Sequence, residues 1–596
     1  MGRFINRTTQ LQLRRLLRRH RRATEESVQH AAENIDKNLI GRFSRVMKVR
    51  RFAFGWIALT ILLGVSTVIQ TVALSSTYQT EQPVAGGSFH EGIVGTFSTA
   101  NPLYATGAVD TAVSRLVFDG LFNYDKNNTI VGDLARDYTL DQTGKIYTVH
   151  LKDNLRWHDG KPLTADDVVF TYQTIQNPDA RSVLQGSMRG VTITKVDART
   201  ISFTLSSALS SFPGSLTVGI IPQHILGSVA PSDLRANAFN TSKPIGSGPF
   251  MWQQLHLDSQ ADGEGTAVTI SLERFANYHE TPAKLNRFSI HTYETTEDLL
   301  KAFNHREVNA IASLKSTPNE LLHKNDIVVH SFQSTATLMV FFNTQSTGPL
   351  SDISVRRGLM YGTDRHAIIQ KLNQPLKIVR EPVLSGQFAF DKTYAQPLFN
   401  KSMGDQILTQ GGWVLGKDGI RVKDGKRLTI RLYAEETSDN KIIAQEVKNE
   451  WRALGAEAIV TLQPSMYFQT TLQSRGYDAV IHGISIGNDP DVYAYWHSSQ
   501  AVDGGMNLSN YKSKTADLAL EAGRTRQNEA QRALKYKPFL KAWLDDVPAI
   551  ALFRPRIYYV TRGPVYGLDE HTLNTDADRY YSVTDWQIRT AYVSNN

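Results

Sequence analysis

The chain has 596 residues, 41% of them hydrophobic and 20% charged; the length exceeds one ordinary core, and the balance excludes broad disorder. It contains no Cys, which excludes disulfides, thiolate metal centres, a thiol nucleophile and lipid attachment through an N-terminal cysteine. The net charge of +8 is uneven: residues 1–51 hold 14 Lys+Arg against 4 Asp+Glu, so everything after them is close to neutral and gives no electrostatic reason to bind nucleic acid.

The basic segment 1–51 reads as a cytosolic tail. Leu11, Leu13, Leu16 and Leu17 lie among its arginines. The segment is either a basic helix resting on an anionic membrane surface or a solvated charge run that sets topology. Residues 52–74, FAFGWIALTILLGVSTVIQTVAL, carry no charge and are long enough to cross a hydrocarbon core of about 30 Å as a helix. Arginines precede this run and no positive charge follows it closely, so the N-terminus is expected in the cytosol and the large remainder outside the membrane. An uncleaved single-pass anchor is the reading taken. A cleaved signal peptide ending at Ala73–Ser75 is the rival, but the apolar run and the segment before it are both long for one. Residues 75–86 read as a polar linker.

Beyond the linker, short strand-like runs mix with helical patterns, as in an α/β protein of at least two lobes. Segment 145–155 alternates as a strand. Next, LRWHDGKPLTADDVVFTY (155–172) gathers a His, three Asp and a Lys. Asp159-Gly160 signals a tight turn, and Pro162 suits its exit. Thr164 is placed to cap a helix whose first turn holds Asp166 and Asp167, with Val168, Val169, Tyr172 and Ile175 on its apolar face. Each charge therefore has a structural reason. Further strands are expected at 198–207, 287–293, 336–344 and 427–434, and helices at 353–372 and 440–455.

The zinc-hydrolase signature H-E-x-x-H is missing. GGWVLGKD (411–418) imitates a phosphate loop but places Asp418 where Ser or Thr should hold magnesium, and strand and turn signals follow it instead of a helix. GSGPF (246–250) lacks the third glycine of a dinucleotide loop and reads as a tight backbone passage. No cofactor and no metal site are expected.

Taken in order, several segments resemble one family. They are LRWHDGKPLTADDVVFTYQTIQNP, SRLVFDGLFNYDKNNTIVGDLARDY (114–138), IGSGPFMW (245–252) with ISLERFANYHE (270–280), FFNTQSTGPLSDISVRRGLMYGTDRHAII (341–369) and NDPDVYAYWHSSQAVDGGMNLSNYKSKTADLALEAGRT (488–525). Together these resemble the extracellular solute-binding proteins of the dipeptide/oligopeptide class (family 5), the receptor components of peptide ABC transporters. The resemblance implies a two-lobed, type II periplasmic-binding-protein-like α/β fold. Lobe 1 would be 84–291 plus 550–596 and lobe 2 would be 292–549, with crossings near 287–293 and 547–555. It also implies a peptide ligand held between lobes that close about a hinge, delivery to permease subunits, and a monomeric ectodomain.

By the same resemblance one cleft wall is 99–105, with Asn101, Leu103 and Tyr104. The other is 482–491, with Gly483, Ile484, Ser485, Ile486, Asp489 and Asp491. Trp496 and His497 are either further wall residues or packing beneath it, and Asn343 is a floor or strand-end residue. The Asp that commonly clamps the ligand's ammonium group just before the Asp-Pro pair is missing; Asp489 or Asp491 is the candidate substitute. Rival readings are an extracytoplasmic peptide hydrolase, a sensor or chaperone-like binding module on the same fold, and a receptor for a non-peptide solute.

Overall fold

The computed structural model describes residues 50–259, 266–314, 321 and 324–594. The expected basic tail, with Leu11, Leu13, Leu16 and Leu17, lies outside them. The chain divides into two compact units, one reaching to Gln82 and resuming at Thr590, the other spanning Pro83–Arg589.

In the first unit, the helix Arg50–Tyr78 contains an uncharged stretch, Phe54–Ala73, none of it buried. At 1.5 Å per residue its 20 residues reach about 30 Å. Three of its hydroxyls, those of Thr60, Thr67 and Thr71, donate to the carbonyls of Trp56, Leu63 and Thr67. The segment expected as a linker, 75–86, is more regular than that. The helix runs to Tyr78, and Gln79–Val84 pairs with the strand Arg589–Ser594.

The second unit is built on three main sheets. An eight-stranded sheet runs in the order Thr572–Leu573, Ile327–Ser334, Arg556–Arg562, Ala310–Leu314, Ser88–Val94, Arg287–Tyr293, Thr266–Arg274, Phe250–Ser259. A six-stranded sheet runs Lys377–Ile378, Ala549–Arg554, Ala336–Phe342, Ala479–Ser485, Thr429–Glu435, Glu457–Gln463. A four-stranded antiparallel sheet covers residues 135–204.

The six-stranded sheet is buried on both faces. In Ala336–Phe342, Val340 and Phe342 enter a core with Trp451, while Met339 and Phe341 enter another with Trp496 and Trp543. This is the period-two alternation of a strand with apolar residues on both sides.

The chain passes between the eight- and six-stranded sheets twice: at Thr335, between Ser334 and Ala336, and at Pro555, between Arg554 and Arg556. The boundary expected at residue 292 therefore differs from the sheets. Ala310–Leu314 and Ile327–Ser334 still belong to the large sheet, where they pair with the returning strand Arg556–Arg562. Such non-local pairing leaves no mark in local sequence. The two passages touch, as the Ser334 amide donates to the Pro555 carbonyl at 3.3 Å.

The charged segment at 155–172 is structural throughout. Gly160 sits at φ +84°, its amide donates to the Trp157 carbonyl, and Thr164 and Asp167 form a reciprocal capping box on Ala165–Gln176. His158 is a strut: Nε2 donates to the Gly248 carbonyl at 2.9 Å and Nδ1 accepts from the Gly246 amide at 3.2 Å. Burial pushes its imidazole down to about 4, so it stays neutral in that double role. A Cβ on Gly246 would fall 1.8 Å from the Val117 carbonyl oxygen, so 246–250 is a tight backbone passage. The helix expected over 353–372 is two helices, Ile353–Tyr361 and Arg365–Leu372. At Gly362 the chain presses on Leu454, and Asp364 caps the second helix.

Candidate functional site

A cavity of about 650 Å³ is lined from both halves of the second unit, mostly by loops and helix ends outside the two large sheets. The first half of the unit contributes Tyr124, Asn128 and Ser211, the second half Gln387, Asp489 and Arg532, and the two passages contribute Thr335 and Arg554. Gly386 and Gly487, in loops, and Gly214, in the short helix Phe212–Leu216, are part of the wall. The Gln387 amide secures one side by donating to the Gly487 carbonyl at 2.9 Å. The halves meet at Ser210 and Ser211. Ser210 donates through its amide and hydroxyl to the Arg524 carbonyl, and the Ser211 hydroxyl donates to Asp491 Oδ2 at 3.2 Å.

Of the residues expected at the site, Asp489 lines this cavity. It is already bound: Arg532 donates to both of its carboxylate oxygens, at 2.6 and 2.7 Å. The Arg532 side chain is only 4% exposed and lies over the Phe388 ring. Asp491 is held by Arg524 at 3.0 Å, and that guanidinium in turn covers the Tyr493 ring. Burial raises the Asp491 carboxyl against the pull of Arg524. Both candidate substitutes for the missing clamp are thus internally neutralised.

The wall expected around 99–105 is core instead. Asn101 is buried, donating to Asn240 Oδ1 and accepting from the Leu103 amide. Leu103 and Tyr104 are buried in the cluster of the first half. Their side chains do not line the cavity because the Asn101–Asn240 pair turns this loop inward.

Gly483, Ile484 and Ser485 end the strand paired with Ala336–Phe342. Ile484 and Ile486 are buried, while Gly483 and Ser485 are exposed; the Ser485 hydroxyl lies 3.5 Å from both Thr335 and Asn574. Trp496 is fully buried, stacked on Phe341, with Trp543 against its edge. His497 stacks on Tyr493 and reaches Glu521 at 3.2 Å, so both are packing residues. Asn343 closes a strand end, its amide donating to the Tyr477 carbonyl.

The sequence reading missed Arg532, Arg554 and Gln387. Arg532 and Gln387 stand in no recognisable pattern. Arg554 did carry a signal, as a cation ending the apolar run AIALF just before Pro555.

Away from the cavity, His279 lies between Asp119 and Asp133, at 3.6 and 3.2 Å. Burial and the neighbouring Asp133 push Asp119 up to about 7. For His279 burial works the other way, but the two carboxylates prevail and raise it.

Comparison with known proteins agrees with this architecture. Residues 129–505 match the model described as bacterial extracellular solute-binding proteins, family 5 Middle. The chain is 25% identical over 528 residues to the oligopeptide-binding protein AppA of Bacillus subtilis (strain 168), an alignment covering 85% of this chain and 94% of that one. The structure of AppA in complex with a nonapeptide superposes with a TM-score of 0.67 at 24% identity, over 85% of this chain and all of that one. NikZ from Campylobacter jejuni, in complex with Ni(L-His), gives 0.69 at 23% identity, over 84% and 99%. With more than half of its length matched by the family model and the two-sheet architecture in place, the chain belongs to the bacterial extracellular solute-binding proteins, family 5.

Proposed function

We propose that this protein is a membrane-anchored receptor that captures peptides in the cavity between its two halves and delivers them to an ABC importer. The observation that carries the reading is the cavity itself. It lies between two halves joined by two adjacent chain passages, and its wall offers loop backbone and neutral polar groups. Such a wall suits an extended peptide, because main-chain pairing is indifferent to side-chain identity. The name of AppA and its nonapeptide complex support peptide as the ligand class.

The helix Arg50–Tyr78 anchors the receptor with its N-terminus in the cytosol, following the bias of positive charge. Anchoring holds the binding unit near the permease and raises its effective concentration there. Hydrolysis is not favoured: no His lines the cavity among the described residues, the Asp491 that accepts from Ser211 is held by Arg524, and Asp489 is locked to Arg532. The binding test is calorimetric titration of the purified protein with defined peptides of three to nine residues. Saturable binding of one peptide per chain supports the reading. Failure of every length to bind, or cleavage of the peptides during the titration, contradicts it.

A further inference from the structure

Arg554 is 3% exposed and lines the cavity at the second chain passage. Its Nε donates to the Ser334 carbonyl at 2.9 Å, across the first passage. Among the described residues, nothing accepts from its two terminal nitrogens and no carboxylate lies within 4.0 Å of it. Other buried arginines of this fold are treated differently. Arg579 pairs with Glu91, Arg532 with Asp489 and Arg421 with Asp405. Arg365 has no acidic partner, yet it is occupied by the Ala551 carbonyl and Gln396 Oε1, and Arg356 by three carbonyls. Arg554 is the buried cation that faces the cavity with donors to spare.

The cavity's remaining charges sharpen the point. Asp489 and Arg532 cancel one another, and Glu529 is exposed. Burial, with Arg556 close by, pushes the Arg554 guanidinium down to about 10, which still leaves it charged at neutral pH. A buried cation without a counter-ion is costly, and a ligand anion removes that cost on binding.

We propose that Arg554 receives a carboxylate of the bound ligand, so that this cavity selects by a negative group rather than by clamping an ammonium. The inference rests on the peptide reading above and names which end of such a ligand the site holds. A planar guanidinium matches a carboxylate geometrically. Because Nε is tied to Ser334, the anion also bears on both passages between the halves.

The test uses the purified full-length protein and three pentapeptide pools with free N-termini and no charged side chain except where stated. One has a free C-terminal carboxylate, one is C-terminally amidated, and one is amidated but carries a single Glu side chain. The unaltered protein should bind the free-carboxylate pool at least about tenfold more tightly than the amidated pool without Glu. The third pool distinguishes the source of the carboxylate: recovery of affinity assigns a side chain, and no recovery assigns the C-terminus. Arg554→Gln should reduce the preference to within about threefold. Arg554→Lys, which keeps the charge without the planar fork, should retain a reduced preference and serves if the Gln variant does not fold.

Equal affinity of the unaltered protein for all three pools overturns the inference while leaving the peptide reading intact. So does an undiminished preference in a folded Arg554 variant. Binding of no pool at all contradicts the peptide reading and takes this inference with it.

Discussion

Asp489 and Arg532 carry opposite charges in a wall where the guanidinium is nearly sealed from water. Removing one partner strands the other, and losses of about 3–5 kcal/mol are usual for a broken buried pair. Asp489→Ala should therefore lower the denaturation midpoint, and the added loss in Asp489→Ala/Arg532→Met should be small, which a double-mutant cycle in urea would measure. Gly246 gives a sharper case. A Cβ there would fall 1.8 Å from the Val117 carbonyl oxygen, so Gly246→Ala should cost roughly 1–3 kcal/mol or more.

Glu450 supplies a pH dependence. Burial pushes its carboxyl up to about 8 from an ordinary 4.5, and Oε1 has no hydrogen-bond partner. The folded state thus binds a proton that the unfolded chain releases, and the stability this gives is lost as pH rises from 4.5 through about 8. Asp119 and His279 act in the same direction. His158 opposes them only between about 4 and 6.5. The melting temperature should therefore fall from pH 6.5 to 8.5, and Glu450→Gln should flatten that fall. An unchanged slope in the variant would remove Glu450 from the account.

Among the elements, the helix Ala165–Gln176 shows how a local signal becomes structure. Thr164 and Asp167 cap each other's backbone amides, so Thr164→Ala should cost about 1 kcal/mol, read from the urea midpoint. Everything in that motif was legible in sequence because turn, cap and apolar face lie within 21 residues of one another. The same holds for strands such as Thr429–Glu435, where Ile430, Leu432 and Ala434 alternate inward. The break at Gly362 was not legible, because its cause is Leu454, which arrives from another helix turn far along the chain. The site was less legible still. Arg554 meets Ser334 across 220 residues, and nothing near Arg532 announces that Asp489 will reach it. Family resemblance located the stretch around Asp489, but the inward turn of Asn101 toward Asn240 was a tertiary choice that the motif did not carry.

For the whole molecule, two halves, each built on a large sheet with its own core, line a cavity that also reaches the pair of touching chain passages. The two passages are the connection about which the halves of the proposed receptor would close. Capture at a membrane surface, as proposed above, would use an apolar helix, Phe54–Ala73, long enough to span a bilayer, and the polar cavity of a solute-binding family member. Native mass spectrometry of the detergent-purified full-length chain, offered a mixed pool of short peptides, tests that claim most directly. The account predicts complexes carrying one peptide each, spread over several peptide masses. Retention of a single non-peptide compound, with no peptide displacing it, would contradict it.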